Sequence, residues 1–411
     1  MTLSRRTFAL GATAFLSACG GGGASPISPT PARDPDLMPT PNPGFDAWVA
    51  GFRARARSRG ISESTLDRAF RGAGFLPGVV ARDRNQTEFK RSFEDYLNIV
   101  AGDARVATGR EKFRQNSSLL SEVEARYGVP ASITCAIWGV ESRFGARRGD
   151  IPVISATATL AYDGRRGDFF EAQLLAALRI LERGDTSAGQ LTGSWAGAMG
   201  HTQFIPTTYQ AHAVDFRGDG RRDIWSEDPT DGLASAAAYL ADSGWRRGRP
   251  WGLEVRAPEG LPTGRGNRRT VASWTAAGVT SARGGALPAL GDAALLRPSG
   301  IVGPAFLVSR NFDVILRYNN SENYALGVGY LASRIAGGPP LSAQFPPDAT
   351  GLTADDRKRL QELLTSRGFD TGGTDGVIGP NTEEAIRAYQ ASVGLPVTGT
   401  PSPALLQALA R

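Results

Sequence analysis

The stretch SITCAIWGVESRFGARRGD sets the carboxylate of Glu141 among apolar residues and glycines, well before its closing Arg-Arg-Gly-Asp. Helical spacing places Glu141 on one face with Ile133 and Ile137, with Trp138 beside them, close to where the helix should finish near Gly145. Water-poor surroundings and the negative end of the helix dipole both disfavour the charged form and raise the pKa of such a group. A carboxylic acid that stays protonated near neutral pH can act as a general acid. The alternative is a Glu at a helix end paired with Arg143, Arg147 or Arg148.

Two further segments hold residue types suited to binding. GSWAGAMGHTQFIPTTY, Gly193 to Tyr209, combines small residues with Ser194, Gln203 and aromatics, and has little charge and poor helical periodicity. Such a segment suits a wall that a ligand approaches closely while a few polar groups orient it. NFDVILRYNNSENYALGVGYLASRI, Asn311 to Ile335, offers Tyr318, Asn319 and Tyr324 at the start of an apolar helix. Aromatic and amide side chains together suit a sugar, although each singly also serves as core or cap.

The loop DFRGDGRRDIW resembles the start of an EF-hand, with Asp215 and Asp219 as ligands and Asp231 as a late one. Calcium takes oxygen donors from alternating positions, yet Arg217 and Arg221 intervene between Asp215, Asp219 and Asp223. Two readings stay open here, a structural calcium or a turn cross-linked by Asp–Arg pairs. Cys135 falls on a buried helix face without a histidine nearby in sequence, and reads as a small core residue.

The elements that must position these groups follow from periodicity and breakers. At 411 residues, 41% hydrophobic and 21% charged, the chain can bury a sizeable core in more than one domain. Its net charge of +6 comes from scattered arginines without a basic block, which argues against nucleic acid as a partner. Phe45, Trp48, Val49 and Phe52 recur at helical spacing, as do Leu119, Leu120, Val123 and Tyr127 before Gly128 stops that helix. Pro130 suits the first turn of the helix carrying Glu141. From Trp251 to Pro304 the Gly-, Pro- and Arg-rich text with short apolar pairs predicts a small β-rich insertion.

Gly- and Pro-rich stretches divide the chain into an N-terminal address at 1–18, a tether at 19–44, a body at 45–336, a linker at 337–351 and a tail module at 352–411. The tail carries an amphipathic helix through Leu360, Leu363 and Leu364, a Gly-rich turn, and a second helix through Ala385, Ile386 and Tyr389. The tether before it argues for an independent module, against a helical cap packed on the body. The address has Arg5-Arg6 before Phe8, an apolar run too short to span a bilayer, and Leu16-Ser17-Ala18-Cys19.

Several of these motifs carry resemblances. Gly139 to Gly145, Gly197-Ala198-Met199-Gly200 with Gln203-Phe204 and Pro206, and Arg317 to Ser321 with Tyr324-Ala325 resemble, in order, the motifs of the membrane-bound lytic murein transglycosylase B family, glycoside hydrolase family 103. The resemblance implies a mainly α (α+β) fold: a lysozyme-like core with a helical domain and a small β-rich insertion, plus a C-terminal three-helix module. It implies cleavage of the β-1,4 bond between N-acetylmuramic acid and N-acetylglucosamine in peptidoglycan, with 1,6-anhydromuramic acid ends.

Position by position, Glu141 matches the family's acid/base, Ser194 and Gln203 groove residues, Tyr239 another groove tyrosine, and Tyr318, Asn319 and Tyr324 residues around the muramic acid unit. Phe169 stands where the family has a tyrosine, which leaves one hydroxyl contact out, and His201-Thr202 stand in place of an aromatic and a glycine. Some family members bind calcium at the matching acidic loop, but Arg217 here replaces an oxygen donor. No cofactor is required by the implied chemistry. The competing readings are a hydrolytic muramidase and a non-catalytic wall-binding scaffold.

Asp375 to Thr382, Tyr389-Gln390 and Gly394-Leu395-Pro396 resemble the three-helix peptidoglycan-binding module of cell-wall enzymes. The address resembles a twin-arginine signal ending in a lipoprotein box, which implies lipidation of Cys19. Gly20 lacks the Asp of a retention signal, so the expected location is periplasmic, lipid-anchored at the outer membrane of a Gram-negative cell. The expected partners are peptidoglycan glycan strands and the membrane, for a protein acting as a monomer.

Overall fold

The structure is a computed structural model that describes residues 34–85 and 92–411. The address expected at 1–18, Cys19 and the first part of the tether expected at 19–44 lie outside the described residues. In chain order the helices are α1 (Pro43–Ser58), α2 (Glu63–Phe70), α3 (Pro77–Arg84), α4 (Phe93–Ala101), α5 (Asp103–Gln115), α6 (Ser117–Tyr127), α7 (Ala131–Ser142), α8 (Val153–Asp163), α9 (Gly167–Arg183), α10 (Pro206–His212) and α11 (Thr230–Asp242). They continue with α12 (Val271–Ala276), α13 (Arg310–Tyr318), α14 (Glu322–Ile335), α15 (Ala354–Ser366), α16 (Pro380–Ser392) and α17 (Pro403–Ala410). Among the described residues no helix is long and apolar enough to cross a membrane.

The described residues form two compact units, one from 34–85 and 111–243, the other from 92–110 and 244–411. The span expected as one catalytic body, 45–336, thus contributes to both.

In the first unit α8 is the central element. Every residue from Val153 to Ala161 is buried, and α9 packs along it, with α1, α2 and α3 also in contact. Its buried polar residues satisfy backbone groups of the segment before α3: Ser155 Oγ accepts from Gly74 N–H at 3.3 Å and Thr159 Oγ1 from Leu76 N–H at 3.1 Å. Two short strands, β1 (Ile151–Pro152) and β2 (Thr192–Gly193), pair antiparallel and anchor the start of the small-residue segment. The helix α7 lies against α6 and α11, with Ile133, Cys135, Ile137 and Trp138 buried.

The second unit holds the β-rich insertion. Strands β3 (Gly252–Arg256), β4 (Thr280–Ser281), β5 (Ala294–Leu296) and β6 (Ala305–Val308) make an antiparallel sheet in the order β4-β3-β6-β5. One face covers a core of Val255, Trp274, Val279, Leu290, Ala293, Leu295, Ala305 and Leu307. In the same unit α14 packs on α4 and α13, and the tail helices α15, α16 and α17 enclose Leu352, Leu360, Leu364, Ile386, Tyr389, Leu405 and Leu409.

Composition suggests a tether at 337–351, yet this stretch is held along its length. Glu254 of β3 accepts from the backbone N–H groups of Ser342 and Ala343 and from the Ser342 hydroxyl. Phe345 packs on Phe93 of α4 at a ring separation of 5.9 Å. Beyond it, Arg357 of α15 is 2% exposed, and its five N–H donors are all engaged. They reach Gly376 O (2.7 Å), Asp348 (2.9 Å), Leu352 O (3.2 Å), Glu94 (2.8 Å) and Asp95 (2.9 Å). The module is therefore docked on α4 through one buried guanidinium, a geometry the sequence did not disclose.

Truncating that side chain leaves Glu94 and Asp95 facing each other without their cation. Arg357→Ala should cost about 3 kcal/mol in urea unfolding, and should make the 337–351 stretch cleavable by protease in the folded enzyme. Wild-type-like stability and protection would refute the clamp.

Candidate active site

The helix α7 runs from Ala131 to Ser142, ending earlier than its pattern suggests. The chain then takes three consecutive left-handed conformations, Arg143 at φ 51°, Phe144 at φ 57° and Gly145 at φ 84°. Such residues cost of order 1–3 kcal/mol each when they are not glycine, so packing must hold them in place. The packing is specific. Phe144 folds its ring back onto α7, where a Cβ at Gly139 would lie 2.5 Å from the ring, and a Cβ at Gly145 would lie 2.6 Å from the His201 ring. The two glycines that frame the motif each clear space for a ring, and Glu141 stands half-buried between them in the last helical turn.

The small-residue segment is built against this turn. Ser194 N–H donates to Ala198 O at 2.7 Å, and Ser194 Oγ accepts from the N–H groups of Ala196 (3.3 Å) and Ala198 (3.1 Å). Those bonds use the hydroxyl as acceptor, so its hydrogen is what Ser194 can offer a ligand. Met199 N–H donates to Phe204 O at 2.9 Å, closing a tight loop around Gly200, His201 and Gln203. Gln203 holds φ 51°, and its amide nitrogen donates to Arg148 O (3.0 Å) and Gly200 O (2.9 Å), which ties the loop to the turn after α7. Tyr239 of α11 is buried, with its ring 5.7 Å from Phe204 and 4.7 Å from His212.

At the join lies His201, 1% exposed. Trp138 Nε1–H donates to its Nδ1 at 2.9 Å, its Nε2 meets Ser226 O at 2.8 Å, and its carbonyl accepts from Ser142 Oγ–H at 2.9 Å. Burial holds its pKa below the ordinary histidine value, with Arg148 adding to the shift and the Ser226 contact opposing it. In the sequence this position stands out only as a departure from a family pattern. A histidine in a segment almost free of charge, one of two in the chain, was the available signal.

Among the basic residues that could pair with a helix-end Glu, Arg148 forms an ion pair with Glu227. Burial pushes the Cys135 thiol up to about 12, which keeps it an unreactive core residue. Phe169 is on α9, 38% exposed and packed edge-on to Phe170.

Ser194, Gln203, Tyr239 and Glu141 all belong to the first unit. Tyr318, Asn319 and Tyr324 belong to the second, at the corner between α13 and α14. Tyr318 and Tyr324 stack there at 6.5 Å with their planes 16° apart, and Ser321 caps α14 by accepting from Tyr324 N–H.

The acidic loop is organised by its own backbone. Asp215 spends its carboxylate on the N–H groups of Gly218, Asp219 and Gly220, which hold its pKa below the usual range. Asp219 accepts from Arg221 N–H, and Asp231 accepts from Phe216 and Asp223 N–H, each at 2.9 Å. Among the described residues no group of three or more His, Cys, Asp or Glu side chains is arranged to hold a metal. The alternative of Asp–Arg cross-links is met by residues outside the loop, since Arg217 pairs with Glu122 and Arg222 with Asp185. Backbone N–H groups, which sequence does not display, are the partners of these carboxylates.

Residues 44–333 match the family described as Transglycosylase SLT domain, and residues 353–409 match the family of peptidoglycan binding domains. A curated relative, Membrane-bound lytic murein transglycosylase B of Escherichia coli (strain K12), is 35% identical over 238 residues, 56% of this chain and 64% of that protein. The chain thus spans less than two thirds of that relative's length. Among solved structures, SltB3 from Pseudomonas aeruginosa, in complex with NAG-anhNAM-pentapeptide, is 48% identical with a TM-score of 0.72, covering 90% of this chain and 100% of that one. The Escherichia coli lytic transglycosylase Slt35 in complex with calcium is 30% identical with a TM-score of 0.61, covering 73% of this chain and 95% of that one.

Two outcomes test the site. Gly145→Ala forces a Cβ into the His201 ring at a left-handed position, and should lower stability by about 2 kcal/mol in chemical denaturation. The unfolded chain protonates its histidines near pH 6.5, whereas buried His201 resists, so its contribution to stability is complete above that pH and is lost as pH falls toward the lower folded value. Wild-type stability should therefore fall more steeply from pH 7 to pH 5 than that of His201→Asn, and equal slopes would contradict the buried neutral histidine.

Proposed function

Since the chain belongs to the transglycosylase SLT domain family, we propose that it is a peptidoglycan lytic transglycosylase in which Glu141 is the acid/base. The observation that carries the reading is the placement of Glu141, half-buried at the end of an apolar helix whose terminus is fixed by packing. A carboxyl so placed can protonate the glycosidic oxygen between N-acetylmuramic acid and N-acetylglucosamine.

The rest of the chemistry needs no second carboxylate. As the bond breaks, the N-acetyl carbonyl of muramic acid attacks its own anomeric carbon, the substrate-assisted course that dispenses with an enzyme nucleophile. Glu141, ionised by the first step, then takes the proton of the 6-hydroxyl while that oxygen displaces the acetamido oxygen and closes a 1,6-anhydro ring. Glu141 ends protonated again and no water is consumed. The Pseudomonas aeruginosa relative, crystallised with NAG-anhNAM-pentapeptide, supports a product of this kind.

Ser194, Gln203 and Tyr239 are proposed to contact the glycan from the first unit, and Tyr318, Asn319 and Tyr324 to contact the muramic acid. The tail, matched to peptidoglycan binding domains over 353–409, would raise the local concentration of enzyme on an insoluble polymer. The segment Leu16-Ser17-Ala18-Cys19 supports export and lipidation at Cys19, which would place the enzyme in the periplasm at the outer membrane.

Mass spectrometry of soluble products from purified peptidoglycan tests the reading directly. Wild type should release fragments with 1,6-anhydro ends, and Glu141→Gln should release them at least about a hundredfold more slowly. Reducing ends from wild type would mean that water reaches the intermediate and the protein is a hydrolase. Equal release by both proteins would remove Glu141 from the reaction.

A further inference from the structure

We propose that His201 is a positioning residue for the reaction, a neutral pin that fixes the terminus of α7 and with it Glu141. The inference rests on the role proposed for Glu141.

A helix end leaves its last carbonyls without intrahelical partners and tends to fray, which would let Glu141 wander. Here the residues three before and one after Glu141 are both bonded to His201, Trp138 through its indole N–H and Ser142 through its hydroxyl. The ring also abuts Gly145, where no Cβ fits. His201 is itself fixed from the other side. Its N–H donates to Ile224 O at 2.9 Å, its Nε2 reaches Ser226 O, and its Cβ lies against Gly232 of α11, where an added Cβ would meet it at 2.8 Å.

These partners dictate the proton. An indole N–H can only donate, so Nδ1 must be the acceptor, and a backbone carbonyl can only accept, so Nε2 must carry the hydrogen. An imidazolium would set an N–H on Nδ1 against the Trp138 N–H and break the link. The charged groups around the ring are Arg148 from the turn after α7, and Asp223 and Glu227 from the segment before α11. Arg148 and Glu227 are paired with each other, and Asp231 of α11 is engaged by the N–H groups of Phe216 and Asp223. The neutral ring is thus held between groups that are already committed to other partners.

The test combines kinetics with NMR on the full chain. With two histidines in the protein, His212→Gln assigns the signals. The ¹⁵N shifts at pH 7 should show His201 as the Nε2–H tautomer, and a protonated Nδ1 would overturn the proposal. His201→Leu should lower kcat by about tenfold or more with KM within about twofold, whereas His201→Asn, which can still accept from Trp138, should recover most of it. The acid limb of the wild-type kcat profile should follow the His201 titration and be missing from His201→Asn.

Should His201→Leu not fold, the Asn variant and the pH profile decide. Unchanged kcat in a folded Leu variant, or an acid limb unaltered in Asn, would refute the pin. A wild type inactive on peptidoglycan would instead refute the proposed activity, and the tautomer would still decide whether His201 is the neutral pin.

Discussion

A helix that ends inside a protein must find partners for its last carbonyls, and α7 ends one residue after the carboxyl proposed as the acid/base. The structure meets this constraint with a sharp left-handed turn. Phe144 N–H reaches back to Trp138 O at 3.1 Å and Arg147 N–H to Ser142 O at 2.8 Å, while Ser142 Oγ accepts from Gly145 N–H. The turn is affordable only because Gly139 and Gly145 clear room for the Phe144 and His201 rings. Much of what surrounds it follows: the tight loop from Ser194 to Phe204, the close approach of α11 at Gly232, and the burial of a histidine.

The second unit is organised by another buried polar centre. Arg357 brings together carboxylates from α4 and from the strap before α15, and satisfies every donor it has. A guanidinium so enclosed is a poor source of net stability compared with an apolar residue of similar volume, but it penalises any arrangement in which its partners separate. The module is thereby fixed in one pose on α4. Its contacts with α4 and with the strap before α15 are made by the same side chain, so loosening one loosens the other.

Local pattern in the sequence was a good guide wherever the relevant contact is local. The stripe of Ile133 and Ile137 is buried as its period implies, the tail helices bury Leu360, Leu364, Ile386 and Tyr389, and the Gly- and Pro-rich text after Trp251 forms the small sheet. It was silent where the contact is distant. Trp138 and His201 are 63 residues apart, and Arg357 and Asp95 are 262 apart. No periodicity encodes such pairs. A Pro- and Gly-rich composition correctly argues against regular structure at 337–351, but it cannot say whether Glu254 will hold that stretch.

The acidic loop ties these observations together. Its spacing resembles a calcium site, yet its carboxylates act as acceptors for the loop's own N–H groups. Asp231, at the start of α11, receives Phe216 and Asp223 N–H; Asp223 receives Trp225 N–H at 2.8 Å and Ser226 N–H at 3.1 Å. That last pair of bonds shapes the segment whose carbonyls, Ile224 O and Ser226 O, seat His201. Burial pushes the Asp231 carboxyl up against the two N–H groups that favour its charged form. A chain of hydrogen bonds therefore runs from Asp231 through Asp223 and Ser226 to His201, and from there to Trp138 and Ser142 on either side of Glu141. Acidic residues that look like ligands in the sequence serve here as the foundation of a neutral histidine, and through it they bear on the position of the one carboxyl proposed to do the chemistry.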